Sequence, residues 1–114
     1  MHELGVAFEI IKTIEDFAKD KDITKVTKTV LEIGEVSSIV TSYFEDVWKW
    51  ACSKSKIMTG SKLQIIPIKA ITICEDCGKT YDTIKYGKIC PFCKSEHTHL
   101  LQGNEMNIKE IQIE

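Results

Sequence analysis

Residues 74–93 read CEDCGKTYDTIKYGKICPFC, and this stretch contains two Cys-x2-Cys pairs separated by twelve residues. The four candidate ligands are Cys74, Cys77, Cys90 and Cys93. Each pair at this spacing forms a tight knuckle that directs two thiolates at one ion. Gly78 follows the first knuckle and Pro91 lies within the second, which suits their tight turns. The spacing therefore predicts a tetrahedral metal site made of four thiolates.

A site of four thiolates selects zinc, or iron of the rubredoxin kind. It has no open coordination position, so the ion stabilises the surrounding chain and does not activate water. Seventy-three residues precede Cys74, and a rubredoxin would not require them. We therefore predict a structural zinc ion, with a rubredoxin-like iron electron-transfer protein as the alternative.

The cysteine count indicates a reducing compartment. The chain has five cysteines, and two close-spaced pairs in such a compartment are metal ligands rather than disulfides. Residues 1–20 carry five acidic side chains, which argues against a secretory signal, and no apolar stretch reaches the roughly 20 residues of a membrane span. The sequence predicts a cytoplasmic protein with no membrane partner, in which Cys52 is a small buried or half-buried thiol.

Two segments have the periodicity of amphipathic helices. The first begins almost at residue 1, and its apolar positions are Leu4, Ala7, Phe8, Ile11, Ile14 and Phe17. The second begins at about Thr41, with Thr41 or Ser42 as its cap, and its apolar positions are Tyr43, Phe44, Val47, Trp48 and Ala51. Because Trp48 and Trp50 are two residues apart on this helix, we expect one in the core and the other nearer the surface.

Three further segments are typical of strands. They run from Thr24 to Ile33, from Lys62 to Ile68, and from Met106 to Ile113. The alternation of apolar residues changes phase near Lys109-Glu110, which predicts a bulge in the last strand.

The order of these elements predicts an α+β fold. Two helices pack on a three-stranded sheet, and a zinc-ribbon module is inserted before the last strand. The predicted α/β domain comprises residues 1–70 and 104–114, and the predicted zinc-ribbon domain comprises residues 71–103.

The charge distribution offers nothing to attract nucleic acid. The chain has 15 Lys and Arg against 17 Asp and Glu, for a formal net charge of -2. The module from 71 to 103 has four lysines (Lys79, Lys85, Lys88, Lys94) and four acids (Glu75, Asp76, Asp82, Glu96). With no basic excess, a zinc-ribbon adaptor for nucleic acid is only a further alternative.

The first three residues, Met1-His2-Glu3, could form a second metal site. The Met1 amine, the deprotonated His2 backbone nitrogen and the His2 imidazole can chelate one ion in fused rings, and Glu3 can add its carboxylate or its backbone nitrogen. Such donor sets suit Ni(II) or Cu(II) better than zinc. The other interpretation is a plain helix start, with Glu3 favourable against the helix dipole and His2 solvated. Residue chemistry alone favours this second interpretation.

The remaining residues and motifs give little further evidence of function. His97 and His99 follow the second knuckle, and we interpret them as surface residues rather than auxiliary nickel ligands. The sequence contains no H-E-x-x-H, G-x-S-x-G or P-loop pattern, so an enzyme is not predicted.

Five segments taken together resemble one known family. They are MHEL at 1–4, LEIGEV at 31–36, CEDCG at 74–78, CPFC at 90–93 and GNEMNIKEIQIE at 103–114. In order and spacing they are similar to the HypA family of hydrogenase nickel-incorporation proteins, from the first residue to the last.

The resemblance implies a nickel metallochaperone for [NiFe]-hydrogenase maturation that is not an enzyme. It implies nickel ligation by Met1, His2 and Glu3, and structural zinc ligation by Cys74, Cys77, Cys90 and Cys93. The implied partners are the GTPase HypB and the hydrogenase large-subunit precursor, and some relatives also serve urease. Two departures concern loops only: Thr41 and Ser42 replace a frequent Asp-Pro turn, and Lys94 replaces a frequent Gly.

Overall fold

A computed structural model describes residues 3–114 of the chain. Its elements are α1 (Glu3–Asp20), β1 (Val26–Gly34), α2 (Thr41–Cys52), β2 (Lys62–Ile68), β3 (Ile71–Cys74), β4 (Thr80–Asp82), α3 (Thr83–Tyr86), β5 (Thr98–Gln102) and β6 (Met106–Ile113). The predicted α+β class is confirmed, and β2 has the predicted bounds. No helix among the described residues is long and apolar enough to cross a bilayer.

The strands form two separate three-stranded sheets. The first has the order β2-β1-β6, and the second has the order β4-β3-β5. β1 is the central strand of the first sheet, and its buried side chains are Val26, Thr29, Val30, Leu31 and Ile33. In the second sheet, β3 pairs antiparallel with both neighbours, so the metal-binding segment is itself built on a small sheet.

The chain folds into two compact units. The first extends through Glu32 and adds Ser38–Ile66 and Asn107–Glu114, whereas the second consists of Ile33–Ser37 and Pro67–Met106. The unit with the four cysteines therefore extends beyond residues 71–103. The domain boundaries given above remain a prediction.

The buried face of α1 differs from the predicted one. Its buried residues are Ala7, Ile10, Ile11, Ile14 and Ala18, whereas Leu4, Phe8 and Phe17 are exposed. Small and β-branched side chains on the inner face let α2 approach closely, which displaces the larger rings outward. Phe8 instead packs edge-on against Trp50 at the surface, with ring centroids 5.9 Å apart.

Helix α2 begins at the predicted residue but not with the predicted cap. Val40 occupies the N-cap position and no side chain of α2 caps it, so the expectation for Thr41 or Ser42 is wrong. The two tryptophans separate as expected, because Trp48 is buried and Trp50 is 51% exposed. Cys52 is buried as predicted, and burial raises the pKa of its thiol to about 12.

Two glycines in the second unit permit a close backbone contact. Gly34 N–H donates to the Glu105 carbonyl at 2.9 Å, and Val36 N–H donates to the Gly103 carbonyl at 2.8 Å. A Cβ on Gly34 would overlap the Gly103 carbonyl and lie 2.7 Å from the Asn104 nitrogen. Gly103 itself has a φ of 113°, which is strained for other residues. These segments therefore meet only because neither position carries a side chain.

We expect Gly34→Ala to lower the free energy of unfolding by about 2 kcal/mol. The added methyl would meet backbone atoms, and a change of side-chain rotamer cannot move these out of the way. Gly5→Ala in α1 is the control, because nothing lies within 4 Å of a Cβ there. It should be neutral or stabilise by up to about 1 kcal/mol. Urea unfolding of both variants measures the difference, and equal midpoints would contradict the contact.

Candidate metal centre

The structure brings the four predicted cysteines into one cluster. The ligating atoms of Cys74, Cys77, Cys90 and Cys93 all lie within 4.8 Å of one another. The Sγ atoms of Cys74 and Cys93 are 3.5 Å apart, and those of Cys77 and Cys90 are 3.6 Å apart. A tetrahedron with zinc–sulfur bonds of about 2.3 Å has sulfur–sulfur edges of about 3.8 Å. The cluster therefore fits a structural zinc ion.

The two knuckles have the same backbone geometry. Gly78 N–H donates to the Cys74 carbonyl and Lys94 N–H donates to the Cys90 carbonyl, both at 2.9 Å. Gly78 and Lys94 are both left-handed, with φ values of 75° and 66°. Lys94 thus adopts a conformation that glycine accepts without strain. The departure from the family pattern at Lys94 leaves the knuckle geometry unchanged.

The segment around the cysteines has little apolar core of its own. Its buried cluster consists of Cys74, Tyr81 and Cys90, so two of the three members are candidate ligands. The Tyr81 hydroxyl donates to the Gly87 carbonyl at 3.0 Å, which closes the loop after α3. Because so little apolar surface is buried, order in this segment should depend on the ion.

The thiols differ in acidity because their surroundings differ. Burial opposes ionisation of Cys90, but N–H donation from Cys93 and Phe92 prevails and lowers its pKa to about 7. For Cys93, the Ser95 N–H favours the thiolate, but the Cys74 thiol and burial prevail and raise its pKa to about 12. Four thiolates this close repel one another, so protons must remain unless a cation replaces them.

Two histidine–carboxylate pairs lie beside the cluster. His97 Nδ1 is 3.2 Å from Asp76 Oδ2, and His99 Nδ1 is 3.1 Å from Glu75 Oε1. Both imidazoles are exposed, in agreement with their interpretation as surface residues. A hydrogen bond from Ser95, together with His97, lowers the pKa of Asp76. Sequence spacing did not reveal these pairs, because the register of β3 on β5 creates them.

The predicted nickel ligands are only partly within the described residues. Met1 and His2 lie outside them. Glu3 is the first residue of α1, and its Oε2 accepts a hydrogen bond from Val40 N–H at 3.2 Å. Its carboxylate therefore lies at the N-terminus of α2, where the helix dipole favours negative charge. The sequence did not reveal this contact, because Thr41 or Ser42 was expected to cap the helix and Glu3 is 37 positions from Val40.

We expect zinc binding at pH 7 to release at least two protons per ion. The pKa of Cys93 is about 12 and that of Cys77 is raised above its ordinary value, so both thiols are protonated before metal binds. Apparent zinc affinity should consequently increase from pH 6 to pH 8. Calorimetry in two buffers with different ionisation enthalpies measures the proton count. Release of fewer than one proton would contradict the protonated cluster.

Comparisons with known proteins assign the chain to a protein family. Residues 1–113 match the family described as hydrogenase/urease nickel incorporation, metallochaperone, hypA. Hydrogenase maturation factor HypA of Trichodesmium erythraeum is 32% identical over 114 residues, covering 100% of this chain and 96% of the relative. The corresponding factor of Trichormus variabilis is 33% identical with the same coverage.

Solved structures agree with the sequence matches. The solution structure of the Ni metallochaperone HypA from Helicobacter pylori has a TM-score of 0.75 and 28% identity, covering 99% of this chain and 97% of that one. A second HypA solution structure has a TM-score of 0.75 and 27% identity. The resemblance seen in the five sequence segments is confirmed, and the chain belongs to the HypA family of nickel-incorporation metallochaperones for hydrogenase and urease.

Proposed function

We propose that this chain binds Ni(II) at Met1, His2 and Glu3 and delivers it for maturation of [NiFe]-hydrogenase. The observation that carries the proposal is the family match over residues 1–113, which includes all three residues. Nickel is the cargo, whereas zinc on Cys74, Cys77, Cys90 and Cys93 is structural. Hydrogenase maturation is also the function named for the relatives that match the full length of the chain.

The proposed nickel donors are mainly nitrogens. The Met1 amine, the His2 backbone nitrogen and the His2 imidazole provide three, and such nitrogen-rich sets suit Ni(II). The Glu3 backbone nitrogen is available as a fourth, because the first N–H groups of a helix have no intrahelical partner and α1 begins at Glu3. The Glu3 carboxylate is engaged at the start of α2. We therefore assign the backbone nitrogen, and not the carboxylate, as the fourth donor.

The proposed mechanism is transfer of an ion, not catalysis. The family is described as a metallochaperone, and a four-thiolate zinc ion has no open position for substrate or water. The proposed site has only three or four donors, so a client can replace them one at a time with its own ligands. Protons compete for the amine and the imidazole, which keeps nickel affinity moderate and dependent on pH.

The proposed partners follow from the same role. We infer that the chain exchanges nickel with the GTPase HypB and delivers nickel to the hydrogenase large-subunit precursor. The family description also includes urease, so a urease client is compatible with the fold. We place these steps in the cytoplasm, because four thiols held as metal ligands require a reducing compartment.

A two-residue extension before Met1 should weaken nickel binding by at least about tenfold, or roughly 1.4 kcal/mol. The extension converts the amine into an amide nitrogen, which is a far poorer donor at neutral pH. The same two residues placed after Glu114 are the control and should leave nickel affinity unchanged. Calorimetry with nickel from pH 6 to pH 8 measures both proteins. Equal affinities would exclude the Met1 amine, while His2→Ala tests the imidazole separately.

Glu3→Gln should leave nickel affinity within about threefold of the wild type. The glutamine amide oxygen can still accept from Val40 N–H, and the backbone nitrogen of residue 3 is unchanged. Glu3→Ala removes the acceptor at the start of α2 and should cost about 1 kcal/mol of stability. Nickel titration and urea unfolding distinguish the two effects. A tenfold loss of affinity in Glu3→Gln would instead identify the carboxylate as a ligand.

A further inference from the structure

The charges of the metal-binding segment are balanced in number but separated along the sequence. Residues 78–94 contain Lys79, Lys85, Lys88 and Lys94 and a single acid, Asp82. The other three acids of the segment, Glu75, Asp76 and Glu96, lie within the first knuckle or after the second. Two of these acids also contact the exposed histidines. The stretch from residue 78 to residue 94 is therefore basic, and the other acids lie before and after it in the sequence.

The single acid in the basic stretch is already engaged. Asp82 Oδ2 is 3.4 Å from Lys69 Nζ, and its other oxygen accepts from Ile84 N–H at 3.1 Å. Among the ion pairs of the described residues, none involves Lys79, Lys85 or Lys88. Three exposed lysines thus retain uncompensated charge in the described part of the protein.

The same stretch exposes large apolar side chains. Ile84 is 63% exposed, Tyr86 44%, Ile89 50% and Phe92 57%. Tyr86 packs edge-on against buried Tyr81, with ring centroids 6.0 Å apart, and Tyr81 clusters with Cys90, the residue that follows Ile89. Phe92 donates its N–H to the sulfur of the same Cys90.

The lysines lie over the aromatic rings of this surface. Lys79 Nζ is 4.8 Å from the Phe92 ring centre, and Lys85 Nζ is 5.4 Å from that of Tyr86. We call the surface formed by Lys79, Ile84, Lys85, Tyr86, Lys88, Ile89 and Phe92 the basic apolar face. Two of its cations lie over aromatic rings, and exposed cations beside exposed apolar side chains are features of protein-binding patches.

A simpler role for the lysines is to balance charge at the zinc site. Four thiolates and one Zn²⁺ carry a net charge of -2, which nearby cations stabilise. That role accounts for the lysines but not for the exposure of Ile84, Ile89 and Phe92, which cost solvation energy and shield no charge. The coincidence of free cations and exposed apolar side chains indicates a binding surface.

We propose that the basic apolar face docks an acidic segment of a protein partner, with apolar side chains among its carboxylates. Three lysines provide charge complementarity, and the two isoleucines provide apolar contacts that a nucleotide base or phosphate could not use well. The acids Glu75, Asp76 and Glu96 on the same unit would repel a long polyanion or an anionic bilayer. A short acidic segment avoids that repulsion.

The test uses the full-length zinc-loaded protein and a charge-reversed triple variant, Lys79→Glu/Lys85→Glu/Lys88→Glu. The matched control is Lys21→Glu/Lys56→Glu/Lys62→Glu, which makes the same change of net charge at exposed lysines of the first unit. Zinc content and thermal unfolding show whether each variant retains its fold. The probes are the purified hydrogenase large-subunit precursor and the purified GTPase, so the choice of probes rests on the proposed function.

If the basic apolar face is the docking site, the lysine charge-reversal variant should bind at least one probe about tenfold or more weakly than the wild type. This loss of affinity should be larger at low salt. The affinity of the control variant should stay within about threefold of the wild type. Ile84→Ser, which removes an exposed side chain and no charge, should weaken the same probe without altering zinc content. If both variants leave both complexes unchanged, the docking inference is overturned while the proposed function stands. A wild-type protein that binds neither probe contradicts the proposed function and the docking inference together.

Two further outcomes would also overturn the inference. Loss of zinc in the lysine variant, with normal binding by Ile84→Ser, would show that the lysines balance charge at the metal. The protein is also titrated with a single-stranded oligonucleotide and with vesicles of anionic phospholipid. Tight binding of either one, abolished by lysine reversal while the protein probes still bind, would assign the face to that polyanion instead.

Discussion

Mutual repulsion of four thiolates is the constraint on which the second unit depends. Their sulfur atoms lie within 4.8 Å of one another, so all four can be ionised only around a cation. The surrounding segment cannot supply a substitute core, because Tyr81 is the only non-ligand member of its buried cluster. The hydrogen bonds at Gly78 and Lys94 shape each knuckle, but they do not remove the repulsion. The ion therefore contributes folding free energy to the surface built around it.

The first unit is stabilised in a different way. Its largest fully buried side chains are Trp48, Phe44, Leu31 and Met58, and they form an ordinary apolar core. This core is apolar and needs no metal, and the carboxylate of Glu3 joins the start of α1 to the start of α2. A nickel site attached to such a unit can load and unload without unfolding its support. We thus propose that the structural ion binds the unit that depends on metal for folding and that the transported ion binds the unit that does not.

Spacing and periodicity predicted much of this architecture, whereas contacts between distant residues could not be predicted. The Cys-x2-Cys pairs specify four ligands locally, and β2 was bounded correctly by its composition. The periodicity of α1 was clear, but it placed Phe8 and Phe17 inward, because helical spacing cannot show which edge of a wide apolar stripe the neighbouring helix covers. The contact of Glu3 with Val40 joins residues 37 positions apart.

The chemistry of the two proposed sites also accounts for how one chain can keep two similar divalent ions apart. Nickel and zinc have the same charge, so the donor atoms of each site must distinguish them, and thiolates select zinc. Local backbone hydrogen bonds shape the knuckles at Cys74 and Cys90, and the four clustered sulfur atoms fit tetrahedral zinc. The donors proposed at Met1, His2 and Glu3 are mainly nitrogens, and such sets suit Ni(II). The proposed selectivity then follows from the donor atoms at each site, so neither site needs to bind its ion irreversibly.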